Sequence, residues 1–353
     1  MIEAGYQKHT LDFLFPAGTS RGVLHTKDSW FLIIRDWDDN GRSGIGECSI
    51  IPGLSPDPVD EIPGKLERVC SELEQGESIE ELELEGFPAI RFAVETALAD
   101  LEKGGRRILH DSDFTSGNRG IPINGLIWMG QKEEMLKRVS DKIEDGYKVL
   151  KLKVGAIDLD EEMDIIRHIR SAFSINDLEI RLDANGAWEA EEAREILNML
   201  SEFDIHSIEQ PIKAGQWEHM AELCETSPIP IALDEELIGI EDSATQQMLL
   251  KQTRPAYIIL KPSLLGGTSA SRSWIEMAEK LGIGWWVTSA LESNVGLNAI
   301  AQWTATLETE MPQGLGTGQL FSNNIPSPLA IRNGVLYYDT EGNWDTGMII
   351  NRN

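Results

Sequence analysis

From about residue 120 onward, short apolar runs alternate with amphipathic stretches. The runs are INGLIW (123–128), VLKLKV (149–154), LEIRLD (178–183), HSIEQ (206–210), IPIALD (229–234), AYIILK (256–261) and WWVTS (285–289). Between them, segments such as DEEMDIIRHIRSAF (160–173) and TSASRSWIEMAEKLG (268–282) carry apolar residues at helical spacing. Strand–helix alternation with short connections predicts parallel strands joined by crossover helices. Seven such units are visible, and GLGTGQLF (314–321) offers an eighth strand with no regular helix beside it. The expected fold is α/β: a barrel close to (β/α)8 with an irregular last unit. A doubly wound open sheet is the alternative. The barrel is preferred because it accommodates this many consecutive units without an edge.

The first 115 residues have a different pattern. WFLIIRDW (30–37) reads as a strand, and GRSGIGECSIIPGLSPDP (41–58) reads as a long loop rich in Gly, Ser and Pro. Acid-rich residues 71–85 read as a solvated helix and turn. FPAIRFAVETALADLEKGG (87–105) places Ile90, Ala93, Val94, Ala97, Leu98 and Leu101 on one helical face and stops at Gly104-Gly105. Strands followed by helices predict a small α+β unit. Near the end, GVLYYD (334–339) is expected to return to that unit as a strand.

Charged and polar residues end the apolar runs. In order they are Lys153, Asp183, Glu209, Asp234, Lys261 and Ser289, with Glu292 just beyond. The steps between the first six are 30, 26, 25, 27 and 28 residues, each about one βα unit. In a barrel they therefore sit near the C-terminal ends of adjacent strands, the end that carries the active site. Each carboxylate alone has an ordinary reading as a helix N-cap or loop residue, and each lysine as a surface cation. Capping does not explain the series as a whole. Gln210 and Pro211 directly after Glu209 also make that residue a poor cap.

Three carboxylates converging in one mouth repel one another unless a cation joins them. An all-oxygen set of Asp183, Glu209 and Asp234 suits a hard divalent ion, with Mg²⁺ the first choice and Mn²⁺ also suitable. No His or Cys occupies these positions, so zinc does not fit. His206 has the opposite strand parity to Glu209 and is read as packing or solvent contact. Lys151 and Lys153 are two apart on one strand and share a face. A lysine whose pKa falls from ~10.4 toward working pH can act as a base. Lys151 and the metal are two positive sources able to lower that of Lys153. The expected chemistry is metal-assisted removal of a proton next to a carboxylate, with Lys153 and Lys261 facing each other across the mouth.

Composition narrows the setting. The 353 residues are 41% apolar and 25% charged, with a formal net charge of −28 from 59 acids against 31 bases. That acidity argues against nucleic acid and anionic lipid as partners and reads as a solvated surface, while the site chemistry points to a small-molecule carboxylate. Cys48, Cys70 and Cys224 are scattered and predict a reducing compartment without disulfides. The start, MIEAGYQKHTLDF, carries no basic-then-apolar leader pattern, and no apolar run approaches the ~20 residues of a membrane span. The expected location is the cytoplasm.

Other motifs are weaker. Gly314, Gly316 and Gly318 read equally as a tight connection and as backbone N–H groups approaching a substrate carboxylate. Arg21, in TSRG (19–22), reads as a surface residue or as one that closes over an anionic substrate.

KLKVG, RLDANGAW, SIEQPI, ALDEEL, ILKPSLLGG and TSALESNVGLNAIAQW together resemble the enolase superfamily, in its muconate-lactonizing subgroup. The resemblance runs over essentially the whole chain. It implies a modified TIM-like (β/α)7β barrel (116–322), an α+β N-terminal capping domain (1–115) and a C-terminal segment (323–353) returning to the cap. It implies Lys153 and Lys261 as the acid/base pair, with Lys151 beside them, and Asp183, Glu209 and Asp234 as metal ligands. Within the subgroup, AGTSRGVL, SALESNVGLN and GLGTGQLF look most like the family of o-succinylbenzoate synthases. That implies a carbon–oxygen lyase performing a syn dehydration in menaquinone biosynthesis. Arg21, Arg181, Ser289, Glu292 and Gly316 are then candidates for binding or shaping the substrate; Arg181 is included because it shares strand parity with Asp183. An N-acylamino acid racemase or dipeptide epimerase is the alternative within the superfamily, although GLGTGQLF lacks the acids that dipeptide epimerases usually carry there. A non-catalytic binding barrel is the alternative outside it.

Overall fold

The computed structural model describes residues 1–19 and 22–350. The TSRG turn therefore falls partly outside it, and Arg21 lies outside the described residues. The first strand, β1 (Ile2–Thr19), pairs antiparallel with β2 (Gly22–Asp36), which pairs in turn with β3 (Arg42–Ser49). β3 occupies nearly the first half of the segment expected to be a loop. Its glycines are there for packing. A Cβ on Gly44 would lie 2.0 Å from the Ala97 carbonyl oxygen, and one on Gly46 would lie 1.9 Å from that of Ala93. Those carbonyls belong to α2 (Pro88–Glu102), so the missing side chains let the helix lie directly on the sheet. The preceding helix, α1 (Ile62–Glu74), starts earlier than the acid-rich segment suggested, and its acids continue into a turn. Trp30, Leu32, Ile34, Leu66, Val69, Ala93 and Ala97 form the core between this sheet and its helices.

The barrel starts after β4 (Ile121–Pro122). In chain order it contains β5 (Gly125–Ile127), α3 (Lys132–Glu144), β6 (Val149–Lys153), α4 (Leu159–Ala172), β7 (Glu179–Asp183) and α5 (Ala190–Leu200). It continues through β8 (Ser207–Glu209), α6 (Trp217–Thr226), β9 (Ile231–Leu233), α7 (Ser243–Thr253) and β10 (Tyr257–Leu260). The short α8 (Pro262–Leu265), α9 (Thr268–Lys280), β11 (Gly284–Val287) and α10 (Asn294–Thr304) complete it. β5 to β11 form one parallel sheet in sequence order. Gln313 bridges Ile123 and Gly314 bridges Thr288, both in parallel sense, so these two residues join the two ends of the sheet. Four backbone hydrogen bonds hold this closure: Gln313 to Pro122, Asn124 to Gln313, Gly314 to Val287 and Ser289 to Gly314. The eighth position is thus filled one residue earlier than GLGTGQLF and is much shorter. The fold is a (β/α)7β barrel with an antiparallel sheet and two helices before it.

GVLYYD does form a strand, but not in the first sheet. β13 (Val335–Tyr338) pairs with β12 (Leu329–Arg332) and with β4, beside the barrel. The contacts with the first sheet lie on either side of this strand pair. Ile325, Ile349 and Trp344 pack with Phe31 and Ile45, and Ile349 lies on α11 (Gly347–Ile350). At the opposite end, the β1–β2 hairpin extends to the barrel, where Phe13 bridges Phe321 and Phe15 lies edge-on to Trp128.

Candidate active site

The parallel register puts Lys153 opposite Asp183 and Asp183 opposite Glu209. Asp234 and Lys261 directly follow β9 and β10. All five therefore meet at one end of the barrel. Asp183, Glu209 and Asp234 are 0%, 2% and 1% exposed. Lys151, Lys153 and Lys261 line a cavity of about 590 Å³ above them.

The lysines and carboxylates are paired. Asp183 Oδ2 lies 2.8 Å from Lys151 Nζ and 2.6 Å from Lys153 Nζ. Lys151 also reaches Glu209 Oε2 at 2.5 Å, and Lys261 binds Asp234. The two neighbouring cations read from VLKLKV thus share a carboxylate instead of facing each other bare. Burial alone would deprotonate Lys151, but Asp183 and Glu209 outweigh it and hold the ammonium above its usual value. Burial likewise disfavours charge on Lys261, and Asp234 reverses the balance. Asp183 is held below the carboxylate range despite burial, because Lys151, Lys153 and Lys261 surround it. Glu209 is pushed well above that range by burial and by Asp183, with Lys151 opposing. One carboxyl of the three therefore carries the cost of crowding like charges.

Among the described residues, no three acidic, imidazole or thiol groups already stand as a closed metal cage. The donor chemistry nevertheless fits a hard cation. Three buried carboxylates converge, and Glu209 Oε1 has no hydrogen-bond partner among the described residues. A divalent ion would satisfy that oxygen and relieve the repulsion that pushes Glu209 up.

Two neighbours escaped the sequence reading. Asn185 Oδ1 accepts from Lys153 Nζ at 2.6 Å, and its amide nitrogen donates to Glu235 Oε1 at 3.0 Å. Asn185 adopts φ +47°, a left-handed conformation that Asn tolerates, and this turns its side chain back toward the strand end. The Asp-x-Asn spacing at 183–185 was the available signal. Glu235 adjoins Asp234 and is raised by burial and by that carboxylate.

The weaker candidates divide. Ser289 and Gly316 line the cavity. Arg181 does not. It shares parity with Asp183 but lies two residues deeper in the barrel. There its Nε donates to Glu179 at 2.7 Å, its Nη1 donates to the Pro312 carbonyl at 2.9 Å, and its guanidinium lies 4.4 Å from the Trp286 ring. Glu292 is fully buried behind the cavity wall, where the hydroxyls of Ser263 and Ser289 donate to it. His206 stacks on Tyr257 at 5.1 Å, as a packing residue does.

Residues 134–342 match the family described as enolase C-terminal domain-like. The o-succinylbenzoate synthase of Desulfotalea psychrophila is 48% identical, over 95% of this chain and 98% of that protein. The chain belongs to the enolase superfamily. Its sequence places it with the o-succinylbenzoate synthases of that superfamily. The crystal structure of MenC from D. psychrophila superposes with a TM-score of 0.84 at 44% identity, covering 95% of this chain and 99% of that one. The L-Ala-D/L-Glu epimerase of Bacillus subtilis shares the fold, with a TM-score of 0.82 at 22% identity and 95% of each chain covered. Enolase-superfamily enzymes generally use Mg²⁺. Among the described residues, no helix is long and apolar enough to cross a membrane.

Proposed function

We propose that this chain dehydrates 2-succinyl-6-hydroxy-2,4-cyclohexadiene-1-carboxylate to o-succinylbenzoate, the activity named for its D. psychrophila relative. It is a carbon–oxygen lyase, acts on a small-molecule carboxylate and serves menaquinone biosynthesis. We place it in the cytoplasm. The observation that carries the chemistry is the pair Lys153 and Lys261 in one cavity, each tied to a buried carboxylate. β6 and β10 are four positions apart in a ring of eight, so the two ammonium groups approach a bound ring from opposite faces.

A proton next to a carboxylate is weakly acidic. Its removal needs a positioned base and strong positive charge near the anion that forms. Lys153 is the proposed base, with Nζ aimed by Asp183 and Asn185. The same nitrogen then returns the proton to the hydroxyl leaving from the same face, so the elimination is syn. Lys261 stays protonated beside Asp234 and offers its charge to the other ring face. Lys151 holds Asp183 and Glu209 in place. Asp183, Glu209 and Asp234 would hold Mg²⁺, with Mn²⁺ as a substitute. When bound, the ion supplies positive charge beside the substrate carboxylate. Aromatisation of the ring drives the reaction forward. Ser289 and Gly316 shape the cavity, and Arg21 is proposed to close over the anionic substrate.

The deciding experiment is incubation with the cyclohexadiene carboxylate, with and without metal, beside the Lys153→Ala variant. Metal-dependent formation of the aromatic product, lost in the variant, is expected. A parallel incubation in D₂O with N-acylamino acids and dipeptides tests the superfamily alternative. Isotope exchange and inversion at the α-carbon there, with no dehydration in the first assay, would replace this reading with a racemase or epimerase.

A further inference from the structure

A buried polar chain runs from the first sheet to the cavity wall. Lys27 on β2 is 2% exposed, and its ammonium donates to Ser29 and Ser49. The Ser29 hydroxyl donates to Glu47 Oε1 at 2.7 Å. Glu47, fully buried on β3, also accepts the Ser293 N–H at 2.9 Å, the Ser293 hydroxyl at 2.5 Å and the Gly296 N–H at 2.9 Å. The first sheet thereby grips the segment after β11. On that segment, Glu292 receives the Ser263 hydroxyl on one oxygen and the Ser289 hydroxyl on the other. Thr317 Oγ1 donates to Ser289 Oγ at 2.6 Å. Ser289 and Thr317 line the cavity that holds Lys153 and Lys261.

This chain has a direction. A hydroxyl owns one proton and two lone pairs. The Ser289 proton is committed to Glu292, so Ser289 can only accept from Thr317. The Thr317 proton is then committed to Ser289. What Thr317 turns to the cavity is lone pairs alone. A carboxylate or ketone oxygen set against them gains no hydrogen bond, whereas a hydroxyl does. The substrate in the reading above, on which this inference rests, has two carboxylates and a ketone that only accept, and one ring hydroxyl that donates.

We propose that Thr317 is a positioning residue that accepts a hydrogen bond from the ring hydroxyl of the substrate, with its polarity set by Glu292 through Ser289. The hydroxyl keeps its own hydrogen on Thr317 and turns a lone pair to Lys153. As the ring C–O bond breaks, its electron pair leaves with the oxygen, which takes the Lys153 proton and departs as water. The pair left by the removed C–H proton becomes the new ring double bond. The product has no hydroxyl and so loses this contact.

That difference supplies the test. Thr317→Val and Thr317→Ser are compared with the parent for kcat and KM on the cyclohexadiene carboxylate. The inhibition constant of o-succinylbenzoate, the aromatic product that lacks the hydroxyl, is measured in parallel. The valine variant is expected to lose about tenfold in kcat/KM, to bind product as the parent does, and to be rescued by serine. Equal weakening of substrate and product, or an unchanged kcat/KM, would overturn the proposal. Ser289→Ala tests the direction, because it frees the Thr317 proton for a ligand carboxylate. Tighter product binding with lower kcat/KM is expected, and unchanged product binding would refute the set polarity. A parent that fails to dehydrate the substrate sinks the functional reading itself, whereas a working parent with unresponsive variants sinks this inference alone.

Discussion

The barrel mouth has two unlike arcs. From β6 to β10 every strand end carries charge: Lys153, Asp183, Glu209, Asp234 and Lys261. From β11 through Gly314 and back to β5 the strand ends are neutral, with Ser289, Thr317 and Asn124 beside Leu126 and Trp128, and the charged groups that line the cavity on that side, Arg138, Asp141, Lys142 and Asp145, come from α3 and its C-terminal end. On the proposed function, the charged arc creates the field that a carbanion needs, whatever molecule supplies it, and the neutral arc is the part proposed to select that molecule. Reaction type and substrate choice would then sit on different strands, and either could change without dismantling the other.

The sharpest way to break that division is Lys153→Ala. It is expected to lower kcat by roughly 10²–10⁴-fold with little change in product binding, measured by steady-state kinetics and inhibition. A large loss of product binding would show that the charged arc also selects the ligand.

A second test uses Asp57, a buried carboxylate outside both arcs with no ion-pair partner among the described residues. It accepts the Ala89 N–H near the start of α2, yet burial pushes its carboxyl up to about 7 from 3.8. The folded protein thus binds a proton between about pH 4 and 7 that the unfolded chain has released. Stability from this group is present below that window and is lost as pH rises through it. Asp57→Asn should therefore be more stable than the parent at pH 8 by on the order of 3 kcal/mol, with the difference vanishing near pH 4. Equal melting temperatures across the range would contradict the contrast between paired and unpaired buried acids.

Metal comes next in size. A divalent ion at a hundredfold excess over its dissociation constant should stabilise the fold by about 2.7 kcal/mol. Thermal melting of chelator-treated protein with and without Mg²⁺ reads this directly, and Glu209→Gln should abolish the shift. A shift that survives in the variant would move the ion away from the charged arc. The smallest effect is expected from Leu126→Ala in the neutral arc. It should raise KM severalfold, about 1 kcal/mol of uniform binding, with kcat nearly unchanged. A fall in kcat at constant KM would assign that wall to the chemical step.

The same contrast explains what the sequence disclosed. The charged arc was legible because ionised side chains are rare at the ends of apolar runs, and the βα repeat spaces them regularly. The neutral arc was mostly illegible, since glycines and hydroxyls serve many purposes. Thr317 gave no signal until its partners Ser289 and Glu292 came together in space. Parity led correctly to the barrel interior for Arg181 but carries no depth, so the residue sits below the mouth. Gly44 and Gly46 misled for a related reason. A glycine under a helix and a glycine in a loop look alike until the helix is placed. GVLYYD was recognised as a strand, but its partner in β4, at the foot of the barrel, is only two residues long and offers no pattern to read.

Gln313 and Gly314 give the barrel a clasp where a stave would normally stand. Seven strands carry the continuous ladder, while the last gap is fastened by four hydrogen bonds over two residues. A seam so short is where the wall should breathe first. Amide hydrogens at Asn124, Gly314 and Ser289 should exchange ahead of those in β7 and β8. The wall proposed to select the substrate thus borders the hoop's most easily loosened joint, where an insertion or a changed turn disturbs little of the remaining ladder.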